Sequence, residues 1–346
     1  MAFLAKGKLY LWIQRFKNPL LLWNYTGIML SYIFKWKKIP FSPFFINVEP
    51  NNDCNFKCQH CQVTYWDKQK KHLDETSFSR ILDQFPYLEQ VKLQGMGEPL
   101  LNKQFIPMLN LGHKHGLLMS FISNASLCNQ KVAEQLARLK NTSITFSIDG
   151  ATAETFESIR IGGKFDQIKK NIQNLNRIRN GKKQPYLSVW TVVTDKNIHE
   201  LPQIVKLASD LGVDDINLQL FLSDWGKNTI KEYNNSIKTD LNSKQLISTL
   251  TEAKQVANTN KIELNIKRND FYSKQKKCPW AWSNTYISSS GDVVPCSILA
   301  DSDTVKMGNV FEEDFAKIWN SQKYQDFRER IRTHDLPSYC KNCYSD

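Results

Sequence analysis

The 346-residue sequence has no long uncharged apolar run. The longest uncharged stretch near its start, residues 18–34, has 17 residues and includes Asn18, Pro19, Asn24 and Gly27. A helix that spans a bilayer needs about 20 mainly apolar residues. A compact apolar segment followed by a small-residue cleavage site is also missing, so the sequence predicts neither a transmembrane helix nor a secretory signal.

Acidic residues are absent before Glu49, although the first 43 residues contain seven basic ones and many large apolar side chains. This segment therefore holds more than half of the net charge of +12. It is open to three interpretations: a helical cap on the adjacent fold, an interfacial helix that meets anionic lipid, or a nucleic-acid-binding arm. The rest of the chain carries only +5 and no RNA-binding motif, so nucleic acid is not expected. We expect peripheral contact of residues 1–43 with the inner face of the membrane.

Cysteine is too sparse for a disulfide scaffold, with eight residues in the whole chain. Seven of them fall into two groups with close internal spacings, and Cys128 stands alone, as expected of a buried small apolar residue. Grouped cysteines without a secretory signal favour metal ligation in a cytoplasmic protein. The groups are Cys54, Cys58 and Cys61, and then Cys278, Cys296, Cys340 and Cys343.

Internal repeats are also lacking, and from residue 44 onward apolar β-branched runs alternate with amphipathic segments. The pattern predicts an α/β fold, a partial (β/α)6 TIM-type barrel with a small C-terminal iron–sulfur domain, because a full barrel needs about 250 residues. The predicted domains are a basic helical segment at 1–43, the barrel at 44–235, a linking helix at 236–260 and the cysteine-rich domain at 261–346. The predicted strands are 44–49, 90–95, 117–124, 144–150, 187–194 and 215–222.

The first cysteine group, Cys54-Asn-Phe-Lys-Cys58-Gln-His-Cys61, directly follows the first predicted strand. A structural zinc site normally has four protein ligands, and no fourth cysteine or histidine follows at a matching spacing. Three cysteines on a [4Fe–4S] cluster would leave one iron open to a substrate or cofactor. The spacing therefore favours a catalytic cluster over a zinc site.

This CxxxCxxC pattern resembles that of the radical S-adenosylmethionine (SAM) superfamily. The resemblance implies a [4Fe–4S] cluster on Cys54, Cys58 and Cys61 and a bound SAM, with His60 near the adenine. It also implies that segments at the carboxyl ends of successive strands contact SAM, as barrel folds place their chemistry there. These SAM-contacting residues are Gly95, Gly97, Glu98, Pro99, Ser123, Asn124, Ser147, Asp149, Arg160, Val192, Val193 and Asn197.

The second cysteine group could hold zinc or an iron–sulfur cluster on its spacing alone. Its context, with Pro295 before Cys296 and Met307-Gly308-Asn309-Val310 after it, resembles the SPASM/Twitch extensions of radical SAM enzymes. The resemblance implies one auxiliary [4Fe–4S] cluster on Cys278, Cys296, Cys340 and Cys343. A second auxiliary cluster is not expected, because the chain has no further cysteines after Cys343.

The resemblance implies an oxidoreductase that cleaves SAM reductively to a 5′-deoxyadenosyl radical, which abstracts hydrogen from a substrate carbon while the auxiliary cluster takes up an electron. A one-electron reductant such as flavodoxin or ferredoxin is the expected partner. The expected substrate is a small hydroxylated, sugar-like or lipid-linked molecule. The alternatives are a peptide-modifying enzyme and a non-catalytic iron–sulfur or zinc scaffold. No catalytic base is identified.

Overall fold

A computed structural model describes residues 2–224, 227–268, 272–273 and 275–344. The chain forms two compact units. The first comprises Met1–Asp53, Gln69–Met119 and Asp270–Asp346, and the second comprises Cys54–Lys68 and Ser120–Asn269. The domain boundaries at residues 43, 235 and 260 stay a prediction.

The described residues form helices and strands that alternate through the middle of the chain. The helices are α1 (Ala2–Lys17), α2 (Pro19–Ile33), α3 (Glu75–Leu82), α4 (Phe105–Lys114), α5 (Gln130–Leu136), α6 (Ala153–Ile159), α7 (Phe165–Arg179), α8 (Leu201–Asp210), α9 (Asn228–Ile237), α10 (Lys244–Thr259), α11 (Trp280–Ser283), α12 (Phe315–Trp319) and α13 (Gln322–Thr333). The strands are β1 (Phe45–Val48), β2 (Gln90–Leu93), β3 (Leu118–Ser123), β4 (Thr142–Ser147), β5 (Tyr186–Val192), β6 (Asp215–Gln219), β7 (Glu263–Lys267), β8 (Asn284–Ile287), β9 (Asp292–Val294) and β10 (Gly308–Asn309).

In the first unit, β1 is the centre of the strand ladder. It pairs in parallel with β2 on one side and with β8 on the other, and the antiparallel strands β9 and β10 continue outward from β8. Ile46 and Val48 of β1 are fully buried, as expected for a parallel strand covered on both faces.

In the second unit, β4, β5, β6 and β7 follow one another in parallel register. The crossover from β4 to β5 contains α6 and α7, and the crossover from β5 to β6 contains α8. Such helical crossovers are how consecutive parallel strands are joined. Strand β3 is divided between the two units.

The six predicted strands are confirmed as β1–β6, with ends that differ by a few residues. Strands β7 and β8, which extend the parallel ladders next to β6 and β1, were not predicted. The sequence of β7 is Glu-Leu-Asn-Ile-Lys, and its burial is only partial along most of its length, so its apolar signal is weaker than that of β1 or β5.

Helix starts follow from local chemistry. Asp74, Asn129, Thr152 and Ser243 each stand before a helix, and their side-chain oxygens accept a backbone N–H of the first turn. These residue types are the preferred N-caps because they satisfy N–H groups that have no partner within the helix.

The N-terminal helices pack onto the first unit through polar contacts. Arg15 of α1 donates two hydrogen bonds, of 2.8 and 2.7 Å, to the carboxylate of Glu89, and both side chains are almost completely buried. Asn24 of α2 exchanges two hydrogen bonds with the backbone of Ser42. These contacts agree with the cap interpretation of residues 1–43.

The segment after α2 is held to the C-terminal part of the same unit. The guanidinium of Arg328, which is fully buried, donates to the carbonyls of Ala281 and Lys37 at 2.8 and 2.7 Å. The indole N–H of Trp282 donates to the carbonyl of Trp36 at 2.9 Å.

Among the residues described, no helix has both the length and the apolarity needed to cross a bilayer.

We expect Glu89→Ala to lower the free energy of unfolding by about 3 kcal/mol, because it leaves the buried Arg15 charge without a partner. Urea unfolding of the anaerobically prepared protein measures the effect. Asp210→Ala is the matched control, because Asp210 pairs with Lys206 on the exposed face of α8 and such pairs contribute less than about 1 kcal/mol. Equal effects of the two substitutions would contradict the prediction.

Candidate metal centre and cofactor site

The first cysteine group lies on the loop that opens the second unit. Its three thiols are close enough to influence one another: burial, and then the neighbouring Cys58 and Cys54, raise the pKa of Cys61 to about 12. Cys58 is itself buried, and burial raises its pKa as well. Thiols in this state are neutral until a metal replaces their protons.

A buried ion pair lies beside Cys58. The guanidinium of Arg160 contacts the Asp149 carboxylate at 2.7 Å, and its Nη1 lies 3.9 Å from Cys58 Sγ. His60 lies on the other side of the carboxylate, with Nε2 3.7 Å from Asp149 Oδ2. Burial lowers the pKa of His60 to about 4, against the opposing effect of Asp149, so this imidazole is neutral near pH 7.

Asp149 also connects the ends of two strands. Its Oδ1 accepts the backbone N–H of Val192, and the amide of Asn197 donates to the carbonyls of Asp149 and Val192. Ser147 is the last residue of β4, and Val193 is buried directly after β5. The structure therefore brings Asp149, Arg160, Val192, Val193 and Asn197 together near Cys58.

The end of β3 is held to the cysteine loop. Asn124 donates to the side-chain oxygen of Asn55 at 3.1 Å, and Asn55 donates to the hydroxyl of Ser126 at 2.9 Å. Ser123 is the last residue of β3, and its hydroxyl accepts the N–H of Ala125. The predicted contact residues Ser123 and Asn124 thus adjoin the segment between the first two cysteines.

The segment Gly95-Met96-Gly97-Glu98-Pro99 lies in the first unit and contacts the residues that immediately precede Cys54. The backbone N–H of Gly97 donates to the carbonyl of Asn51 at 3.1 Å, and the backbone N–H of Glu98 donates to the carbonyl of Asp53 at 2.8 Å. A Cβ on Gly97 would overlap with that Asp53 carbonyl, which explains the glycine. Glu98 is buried, and the buried Pro99 starts a short 3-10 turn.

A residue that the sequence analysis did not single out, Glu49, positions this segment. Its buried carboxylate accepts hydrogen bonds from Met96 N–H, the Tyr286 hydroxyl and both donors of Ser289. A Cβ on Gly95 would overlap with the Glu49 side chain. Glu49 ends the first predicted strand, but a single acidic residue there carries no signal of these distant partners.

The second cysteine group comes together in the first unit. Burial raises the pKa of Cys278 and of Cys296 to about 12 each. Burial likewise raises the pKa of Cys340, and the neighbouring Cys296, Cys278 and Cys343 raise it further. The hydroxyl of Tyr344 accepts the backbone N–H of Cys278 at 2.8 Å. All four predicted ligands therefore share one partly buried site.

The two cysteine sites suit iron–sulfur clusters. In the described ranges, no three or more His, Cys, Asp or Glu side chains surround a point that would hold a single metal ion. In a [4Fe–4S] cluster each thiolate binds a different iron, so the thiolates need not converge on one point. Near Cys58, Nε of Arg160 and Nδ1 of His60 are buried and have no hydrogen-bond partner among the described residues, which suits a polar ligand there.

Two further contacts of the cysteine loop were not predicted. The side-chain oxygen of Gln59 accepts hydrogen bonds from Lys196 at 2.5 Å and from the Tyr233 hydroxyl at 3.0 Å. Tyr233 lies on α9, and its ring also packs on Tyr65. The polar sequence of α9 gives no indication that it lies next to the loop.

The sequence analysis also did not single out Lys92. It stands opposite Asn47 in the β1–β2 ladder, and Asn47 stands opposite Tyr286 in the β1–β8 ladder, so the three side chains share one face. Burial lowers the pKa of Lys92 to about 8, and none of the described residues forms an ion pair with it. Strand β2 thus presents an uncompensated basic group next to Asn47, whose Oδ1 is buried without a hydrogen bond among the described residues.

Comparisons with known sequences agree with this arrangement. Residues 48–208 match the model of the radical SAM superfamily, and residues 278–344 match that of the SPASM iron–sulfur cluster-binding domain. The chain belongs to the radical SAM superfamily. It is an enzyme of this class with a C-terminal SPASM domain, and its cofactors are SAM, a [4Fe–4S] cluster and additional iron–sulfur in the SPASM domain. When bound, these groups supply a 5′-deoxyadenosyl radical that abstracts hydrogen and a further site of one-electron chemistry.

Full-length relatives have diverse names. The chain is 26% identical over 324 residues to the tungsten-containing aldehyde ferredoxin oxidoreductase cofactor-modifying protein of Pyrococcus furiosus, with 86% of each chain covered. It is 22% identical over 313 residues to the PqqA peptide cyclase of Bradyrhizobium diazoefficiens, with 87% of this chain and 78% of the relative covered.

A solved structure shares the fold. Streptococcus suis SuiB, in its crystal structure with the precursor peptide SuiA, matches with a TM-score of 0.68 at 18% identity, covering 90% of this chain and 71% of that one. Together with the parallel strands and helical crossovers, this match confirms the predicted α/β fold class of a partial TIM-type barrel with a small C-terminal domain.

We expect Cys58→Ala and Cys296→Ala each to remove about four irons per chain from the reconstituted protein, because each breaks one cluster site. Iron analysis and the visible absorbance spectrum measure the loss. Cys128→Ala is the control, since Cys128 is fully buried and outside both groups. Retention of all iron by Cys58→Ala, or loss of iron by Cys128→Ala, would contradict the assignment.

Lys92→Met should raise the free energy of unfolding at pH 7 by up to about 3 kcal/mol, because the folded wild type must bury a charge. The pKa of Lys92 is about 8 when folded and 10.5 as its ordinary value, so the unfolded state binds more protons between these pH values. Wild-type stability therefore rises with pH through this window, and the advantage of the variant disappears at its upper end. Urea unfolding at several pH values tests this, with the exposed Lys231→Met as control.

Proposed function

We propose that this enzyme modifies a carbon of a peptide substrate by radical chemistry. The observation that carries the proposal is the presence of both cysteine sites in one chain that resembles a named peptide cyclase along most of its length. The fold shared with SuiB, which was crystallised with a precursor peptide, supports it. The peptide alternative is therefore favoured over the small hydroxylated substrate that the sequence analysis expected first.

The proposed cofactor roles follow the geometry of each unit. Cys54, Cys58 and Cys61 hold the SAM-binding cluster, and Cys278, Cys296, Cys340 and Cys343 hold the auxiliary cluster. Arg160, fixed by Asp149, offers a cation and an unused buried N–H next to Cys58, which suits the carboxylate or ribose of SAM. The backbone around Val192 and Val193, ordered by Asn197, suits the adenine.

Other proposed SAM contacts come from backbone that cannot move freely. Gly95, Gly97, Glu98 and Pro99 would bind the amino group of SAM through a segment fixed by Glu49 and by the residues before Cys54. The ends of two strands add further polar groups near the cysteine loop, from Ser123, Asn124 and Ser147.

The proposed partner is a one-electron reductant such as flavodoxin or ferredoxin, because the SAM-binding cluster must be reduced for each radical formed. We propose a cytoplasmic setting, because none of the eight cysteines forms a disulfide, as is usual where glutathione and thioredoxin keep thiols reduced.

A second candidate is the modification of a cofactor-sized molecule, which the relative from Pyrococcus furiosus favours by its name. The two candidates differ in the groups that the substrate presents. Lys92 and Asn47, neighbours in the β1–β2 ladder, offer a cation and an amide, which can pair with peptide carbonyls and with an acidic side chain.

The test is anaerobic turnover of the reconstituted enzyme with SAM, a reductant and short peptides encoded next to its gene, prepared with deuterium on their side chains. We expect deuterium in the 5′-deoxyadenosine and a peptide that has lost hydrogen, both absent in Cys58→Ala. Cleavage of SAM without deuterium transfer from any peptide, but with transfer from a deuterated cofactor precursor, would favour the second candidate.

A further inference from the structure

Strongly exposed large apolar side chains are concentrated at one place in the described residues. Most of them lie between residues 9 and 36, on or directly after α1 and α2. Scattered exposed apolar residues are ordinary on protein surfaces, but a contiguous group marks an interaction site.

Helix α1 exposes an apolar stripe. Leu9, Trp12, Ile13 and Phe16 follow the i, i+3, i+4, i+7 spacing of one helix face, and Phe16 is 72% exposed. A helix of a globular protein normally turns such a stripe toward the core. Here the charged Arg15 turns inward, toward Glu89, together with the buried Leu11 one turn earlier.

Helix α2 has the same inverted arrangement. Its buried residues, Asn24, Gly27, Ile28 and Ser31, are mostly small or polar and repeat at the spacing of one face. A neighbouring face exposes Trp23, Leu30 and Ile33, with Trp23 at 65% exposure, and Leu20 is exposed in the first turn of the helix. The helix therefore contacts the protein mainly through small and polar side chains and leaves most of its large apolar side chains exposed.

The charge around these stripes is positive. Lys17 and Lys38 are exposed, and no ion pair holds either of them among the described residues. Lys37 contacts Glu329 at 3.4 Å, and Arg15 is paired with Glu89, so two acidic groups are already neutralised by this segment. The segment itself contributes no carboxylate before Glu49.

We propose that the exposed stripes of α1 and α2 form a docking surface for an anionic lipid bilayer, on which the enzyme lies without crossing it. Trp, Phe and Leu would enter the interface between headgroups and acyl chains, while the lysines meet lipid phosphates. The polar contacts of the inner face keep the helices attached to the first unit, so the whole unit docks with them.

The positive charge of this segment favours an anionic bilayer over a second copy of the chain as the partner of the docking surface. A second copy would bring the same basic, acid-free segment against the first, and like charges at an interface are repelled. An anionic bilayer presents the opposite charge and accepts apolar side chains at the same time. The proposal is independent of the substrate, so failure of the peptide assignment would not affect it.

Flotation of the reconstituted full chain with vesicles tests the proposal. We expect binding to vesicles of equal parts phosphatidylcholine and phosphatidylglycerol, and little binding to phosphatidylcholine alone. Phe16→Ser with Trp23→Ser should weaken binding at least about tenfold, because two interfacial aromatic side chains are lost. Lys17→Gln with Lys38→Gln should weaken binding about fivefold per lysine, and added salt should reduce this difference.

Two control variants test whether the loss of binding is specific to the docking surface. Ile247→Ser removes an apolar side chain that is 57% exposed on α10, and Lys231→Gln with Lys254→Gln removes two exposed charges elsewhere. These variants should bind as the wild type does, and all variants should keep the cluster absorbance spectrum. No flotation of the wild type, or equal loss in the controls, would overturn the proposal. So would a dimer in sedimentation velocity that Trp23→Ser dissociates, because the face would then belong to a second copy.

Discussion

The first unit depends on a single buried carboxylate, that of Glu49. It accepts donors from the loop after β2, from β8 and from the turn between β8 and β9, so three separate stretches of chain converge on it. A buried carboxylate with this many donors is stable only while all of them are present. The position of the glycine–glutamate segment follows from this convergence.

The parts of the structure that the sequence could predict are those that depend on local signals. Strands β1–β6 contain recurring apolar or β-branched residues, several helices begin after residues that can cap them, and the cysteine spacings identify two ligand groups before any geometry is known. The ends of the strands then indicate where cofactor-facing residues such as Asp149 and Asn124 lie. None of these inferences needs a distant partner.

The features that were missed depend on contacts far apart in the chain. Glu49 meets Tyr286 across 237 positions, and Gln59 meets Tyr233 across 174. Strand β7 is recognisable only through its neighbour β6, because its own sequence is polar and half-buried. The orientation of α1 and α2 could not be predicted either. The sequence shows that each helix has apolar and polar residues, but not which of its faces packs on the rest of the unit.

The two cysteine sites have different surroundings, and this bears on their redox properties. The first has the cation of Arg160 next to a sulfur, whereas the second has tyrosines, with the hydroxyl of Tyr272 hydrogen-bonded to the Cys278 thiol. Charge, hydrogen bonds to sulfur and exposure are what tune iron–sulfur potentials. The hydrogen bond between Arg328 and Lys37 has a consequence of another kind. Arg328 binds backbone carbonyls, so this contact does not depend on which side chain stands at position 37. An inserted or deleted residue between Trp36 and Ile39 would shift those carbonyls out of reach, so this stretch should tolerate exchange of residues but hold a constant length.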